Sequence, residues 1–122
     1  MNITQFIQSQ IGTVDHLRAL MLLYGSPRTE WDVIDVATKL YLPPDRLGVV
    51  LSELEARGLV ITCGQPPRYR YEAKSQELTL LVREVVELDR THPVSLIQLI
   101  YGEFGGVKAF ADAFKLRKEK EG

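Results

Sequence analysis

The residues of this 122-residue chain able to do nucleophilic, acid-base or metal chemistry are few: His16, His92, Cys63 and scattered carboxylates. A nucleophile, its base and an orienting group must sit together before they can react, and the sequence places neither histidine near Cys63 or a carboxylate pair. His16 follows Asp15 at the start of a predicted helix and reads as an exposed or capping residue. His92 precedes Pro93 and reads as loop and helix-start chemistry. One cysteine excludes an internal disulfide, and its spacing from the histidines is not that of metal ligands. Cys63 falls in a predicted strand and reads as packing, since a redox-sensing thiol needs exposure and a lowered pKa. Gly105-Gly106 lacks the spaced partners and the lysine of a phosphate loop. No catalytic residue, metal ligand or cofactor is expected, and the chain does not read as an enzyme.

Contact with a macromolecule is the other chemistry on offer. The run Leu42-Pro43-Pro44-Asp45-Arg46-Leu47-Gly48-Val49-Val50-Leu51-Ser52-Glu53-Leu54-Glu55-Ala56-Arg57-Gly58-Leu59-Val60 predicts a helix that stops at a glycine and runs into a strand, as in a winged helix-turn-helix. Its charges are Asp45, Glu53 and Glu55 against Arg46 and Arg57, whereas a helix that enters a phosphate-lined groove is usually basic. The net charge is −1, and it is segregated. Residues 1 to 60 hold five bases and seven acids, and residues 61 to 74 three and one. Residues 75 to 106 hold two and five, and residues 107 to 122 five and three. The positive charge therefore lies in the hairpin and at the C-terminus, where a phosphate contact would be made.

The elements that must position these residues follow from periodicity. Length and a 45% apolar, 25% charged composition fit one soluble domain. No apolar run reaches a membrane span, and the N-terminus lacks a basic signal region, so a cytoplasmic protein with no membrane partner is expected. Ile3, Phe6, Ile7 and Ile11 predict an N-terminal helix over residues 1 to 12. The second domain, 13 to 74, opens with Thr13 capping a helix that turns Val14, Leu17, Leu20, Met21 and Tyr24 inward and ends at Gly25-Ser26-Pro27. Thr29-Glu30-Trp31-Asp32 has the form of a capping box for the next helix, with Trp31, Ile34, Val36 or Ala37, and Leu40 inward. Pro44 suits the first turn of the third helix, whose core face is Leu47, Val50, Leu51 and Leu54. Gly58 caps it, and Leu59 to Thr62 pairs across Gly64-Gln65-Pro66-Pro67 with Arg68-Tyr69-Arg70-Tyr71-Glu72-Ala73. The fold class is mainly α with a small β-hairpin (α+β).

Residues 75 to 122 form a helical extension. Over 76 to 90, Leu78, Leu80, Leu81, Val82, Val85, Val86 and Leu88 cover more than one narrow stripe, which requires two partners. The second partner is another copy of the chain, or the apolar segment after Pro93 with Val94, Leu96, Ile97, Leu99, Ile100 and Tyr101. Thr91 is a candidate cap for that segment. Gly102 to Gly106 reads as a loop, and Val107, Phe110, Ala111 and Phe114 mark one face of a last helix, opposite Lys108, Asp112 and Lys115. Leu78, Leu81, Val82, Val85, Phe110 and Phe114 are the expected dimer or partner interface. Tyr24, Tyr41 and Tyr101 are candidates to line an effector cavity, with core packing as their alternative role.

Residues Val14 to Ala73, with "LPPDRLGVVLSELEARGLV" and the "RYRYEA" return strand, resemble the winged-helix domains of MarR-type and ArsR-type bacterial regulators. "VSLIQLIYGEF" and "KAFADAFKLRKEKE" resemble a set of small bacterial proteins with the same front, which implies a fold and not an activity. The first resemblance implies a homodimeric transcriptional regulator that binds double-stranded DNA. Its reader helix would be residues 44 to 57, with Arg46, Val49 and Ser52 facing the groove and Arg68 and Arg70 contacting phosphate from the wing. The chain departs from that pattern. Pro43 stands where a serine or threonine cap is usual, Gly48 presents no side chain, Glu53 and Glu55 repel phosphate, and the ArsR-type metal ligands are absent. The alternative is a winged-helix module turned to protein contact.

Overall fold

The computed structural model describes residues 1 to 101 of the 122. The predicted loop from Gly102, the last helix and the interface candidates Phe110 and Phe114 lie outside the described residues. A short helix α1 (Ile3–Phe6) runs into a π-helical turn (Ile7–Ile11). Helices α2 (Val14–Gly25), α3 (Val33–Leu40) and α4 (Pro44–Ala56) follow, then a hairpin of β1 (Val60–Cys63) and β2 (Arg68–Tyr71), then α5 (Gln76–Thr91) and α6 (Pro93–Tyr101). The protein is mainly α with one antiparallel hairpin, as the periodicity predicts.

One core serves all of these elements. Phe6, Ile7 and Ile11 from the N-terminal segment pack with Leu20 and Leu23 of α2, Leu47, Val50, Leu51 and Leu54 of α4, and Val82 and Val85 of α5, all fully buried. Each such side chain is worth about 1.5–3 kcal/mol against exposure. The N-terminal segment is tied to α4 by the Arg57 guanidinium, which donates to the carbonyls of Gln10 and Ile11 at 3.1 and 3.3 Å.

Local sequence accounts for most element ends. Thr13 caps α2, its hydroxyl accepting from the His16 amide at 3.1 Å. Ser75 caps α5 in the same way through the Leu78 amide. Pro44 opens α4, where its missing N–H costs nothing. Gly58 takes φ +78° after α4 and turns the chain into β1.

Several expectations need correction. The cap of α3 is Asp32, which accepts from the Asp35 amide at 2.8 Å, and not Thr29. Trp31 lies outside the helix: its N–H and C=O pair with those of Tyr69 at 2.8 and 2.7 Å, adding a third strand position to the hairpin. Backbone pairing with β2 satisfies two polar groups that a capping box would have left to one side chain. Ile34 then falls outward and exposed, while Val36 and Ala37 take the core side. Gly25 ends α2 without a positive φ, and Ser26 is the C-cap. Tyr41 is the residue that adopts the left-handed conformation, φ 57°, and it is 92% exposed, so it lines no cavity. Tyr24 instead packs edge to face on Tyr71, ring centres 5.0 Å apart. Thr91 spends its hydroxyl on the Glu87 carbonyl within α5 and does not cap α6.

Candidate functional site

The outward side of α4 forms an open concavity lined by Pro44, Asp45, Gly48, Val49, Ser52, Glu53 and Ala56. Helical spacing puts Gly48, Ser52 and Ala56 one turn apart, and a Cβ at Gly48 would meet nothing within 4 Å. Small side chains leave the groove, exposed Val49 makes it apolar, and Asp45 and Glu53 give it negative charge.

Arg46 of α4 and Arg57, its C-cap, both have partners within the chain. The Arg46 Nε donates to Asp15 Oδ2 of α2 at 3.0 Å. Arg57 is spent on the carbonyls that end the N-terminal segment. Of the residues proposed for groove contact, Val49 and Ser52 therefore lie in the concavity, whereas Arg46 is held against α2. On the hairpin, Arg68 is exposed at the end of β2, and Arg70 pairs with Glu72 at 3.1 Å.

Behind the concavity lies an arrangement the sequence did not announce. His16 is buried, 3% exposed, which overturns its reading as an exposed residue. Its Nδ1 meets the Thr13 hydroxyl, and its Nε2 meets Glu53 Oε1 at 2.8 Å. The only sequence signal was Thr13-x-x-His16, which a helix cap brings together; Glu53 arrives through tertiary packing of α4 on α2. Hydroxyl, imidazole and carboxylate in a row suggest nucleophilic chemistry. Here the Thr13 oxygen already serves as the α2 cap and both ring nitrogens are committed inside the protein, so the row positions α4 on α2.

Burial is the main cause holding the His16 pKa below its ordinary 6.5; the Glu53 hydrogen bond opposes it, and the charges of Arg57 and Arg46 add to the lowering. Glu53 is held below its ordinary 4.5, first by the hydrogen bond from His16. Both shifts make the native state bind fewer protons than the unfolded chain, so both contributions are present at neutral pH and lost on acidification. The His16 part declines as pH falls below 6.5, and the Glu53 part below 4.5. Urea midpoints measured from pH 7.5 down to 5.5 will fall, and His16→Gln will flatten that slope. A midpoint that rises over this range contradicts the arrangement.

Cys63 is half-buried in β1, and the Glu30 carboxylate beside it, with burial second, pushes its thiol above the ordinary value. That is the reverse of a reactive thiol. Among the described residues no cluster of histidine, cysteine and carboxylate could hold a metal ion, and no helix is long and apolar enough to cross a membrane.

The expected interface on α5 is corrected in part. Leu81, Val82 and Val85 are buried within the single chain, and Leu78 packs half-buried against the same core. The broad stripe is explained by α5 lying between the N-terminal segment and α6. Comparison of the chain with protein-family models gives no match, and comparison with curated protein sequences gives none either.

Proposed function

We propose that this chain is a winged-helix module whose α4 groove makes protein contacts in place of DNA contacts. The observation that carries it is the disposition of charge around α4: Asp45 and Glu53 line the groove, Glu53 with one oxygen held by His16, while the Arg46 Nε is held by Asp15 and the guanidinium of Arg57, the C-cap, by backbone carbonyls. A duplex brings a dense row of phosphates to the reader helix, and counterion release needs cations there. An apolar, small-residue groove rimmed by carboxylates instead suits an amphipathic helix bearing lysine or arginine, laid in through its apolar side.

The second reading is a DNA-binding transcriptional regulator that uses the hairpin. It draws on the resemblance of Val14 to Ala73 to MarR-type and ArsR-type regulators, on the helix, helix, helix, hairpin order, and on Arg68 standing exposed at the hairpin.

Amide NMR separates the two. A designed helical peptide of leucine and lysine at helical spacing is expected to shift Gly48, Val49 and Ser52, and Val49→Arg to abolish those shifts. Shifts at Gly48, Val49 and Ser52 produced by duplex DNA and not by the peptide would transfer the function to the second reading.

A further inference from the structure

A buried titratable side chain reaches the α4 groove from behind. His16 is almost fully buried, and its Nε2 lies 2.8 Å from Oε1 of Glu53, a carboxylate that lines the groove and keeps 44% of its side chain exposed. An ionised carboxylate only accepts, so Nε2 carries the hydrogen of the neutral ring, and Nδ1 accepts from the Thr13 hydroxyl. A proton taken up by the ring therefore goes to Nδ1, and the imidazolium then stands directly behind Glu53.

The other charges around the ring already have their places. Arg46 of α4 donates to Asp15 of α2, and Arg57 at the α4 C-cap donates to the Gln10 and Ile11 carbonyls; both lie near enough to disfavour an imidazolium. Arg18 of α2 is exposed, and the π-helical turn contains no charged residue. Helix α3 and strand β2 also pack on α2, but Asp35, Lys39 and Arg68 are exposed and Arg70 pairs with Glu72. Glu53 is the carboxylate bonded to the ring, and the groove shares it.

We propose that a cation seated against Glu53 and a proton on His16 oppose one another, so that the groove binds a basic helix in a proton-linked way. The coupling rests on the protein-contact reading of the groove. With His16 neutral, Asp45 and Glu53 both attract a lysine of the ligand. With His16 protonated, the imidazolium offsets Glu53 and repels a lysine seated across that carboxylate. Such coupling is reciprocal: the ligand favours the neutral ring as much as the proton disfavours the ligand. Affinity is therefore level above pH 6.5, the ordinary histidine value, and falls as the pH drops through the lowered value of the buried ring. The fall is about three- to tenfold, the size of one like-charge pair across a half-exposed carboxylate.

The test uses the full chain and the leucine and lysine peptide between about pH 7.5 and about pH 5, where His16 titrates and Glu53, held below 4.5, stays ionised. Affinity is measured, and the His16 Cε1–H resonance is followed through pH with and without saturating peptide. The peptide is expected to bind about three- to tenfold more weakly at the lower pH, to move the His16 titration to lower pH, and to bind His16→Gln equally at both. The His16 resonance is read in the unaltered chain, so the result does not depend on the folding of a variant. Peptide shifts at Gly48, Val49 and Ser52 with the His16 titration unmoved, or moved up, would overturn the linkage and leave the protein-contact reading standing. No peptide shifts at those residues near neutral pH would overturn both.

Discussion

Replacing Leu54 with alanine lowers the unfolding free energy by about 2–5 kcal/mol, the range for deleting a fully buried leucine side chain and leaving a cavity. Leu54 lies on α4, the helix that contacts α2, α3 and β1, and no part of it reaches solvent. Its carbonyl also accepts from the Leu59 amide at 3.0 Å where the chain turns into β1, so the neighbouring backbone is held and cannot collapse freely into the void. Domains are stable by about 5–15 kcal/mol in total, and the variant therefore loses a large share. Urea denaturation checks the value. A loss below about 1 kcal/mol would mean that the site relaxes, against the packing described.

Replacing Gly58 with valine costs about 2–3 kcal/mol for two independent reasons. Its φ of +78° lies in the left-handed region, where a β-branched residue is strained. A Cβ built there would also stand 2.9 Å from the Cβ of Lys74 and 3.1 Å from its Cδ. The end of a lysine side chain can swing away, but its Cβ moves only with the backbone, and the Lys74 amide is bonded to the Gly58 carbonyl at 2.7 Å. Thermal unfolding of the variant is the check; an unchanged midpoint would show that the turn re-forms without the left-handed residue.

Period and caps made much of this fold legible in the sequence. The four core positions of α4, the Thr13 cap, the Pro44 start and the hairpin each rest on a local pattern, and local patterns survive when tertiary packing is unknown. Trp31 packs half-buried against the core as its apolar spacing predicts, but its place before α3 is not legible because it depends on Tyr69, a pairing partner 38 residues away in the chain, and an isolated bridge has no period of its own. His16 was misread for a related reason: a polar residue beside Asp15 looks solvated until α4 brings Glu53 to its ring. The charges of α4 are legible in the sequence, which expects Arg46 to face the groove; only the position of Asp15 shows its Nε held against α2.

The most direct test of the claim that α4 is not a DNA reader is the affinity of the full chain for duplex DNA as a function of salt. A helix face with two carboxylates, whose one arginine already pairs with Asp15, predicts little binding at α4 and only weak retention at about 50 mM salt from the bases of the hairpin and of residues 107 to 122, with a slope of a few released counterions. Affinity that falls a thousandfold or more between about 50 and 200 mM salt, as in proteins with six to ten phosphate contacts, and that is cut by Arg46→Ala on α4, would contradict the claim.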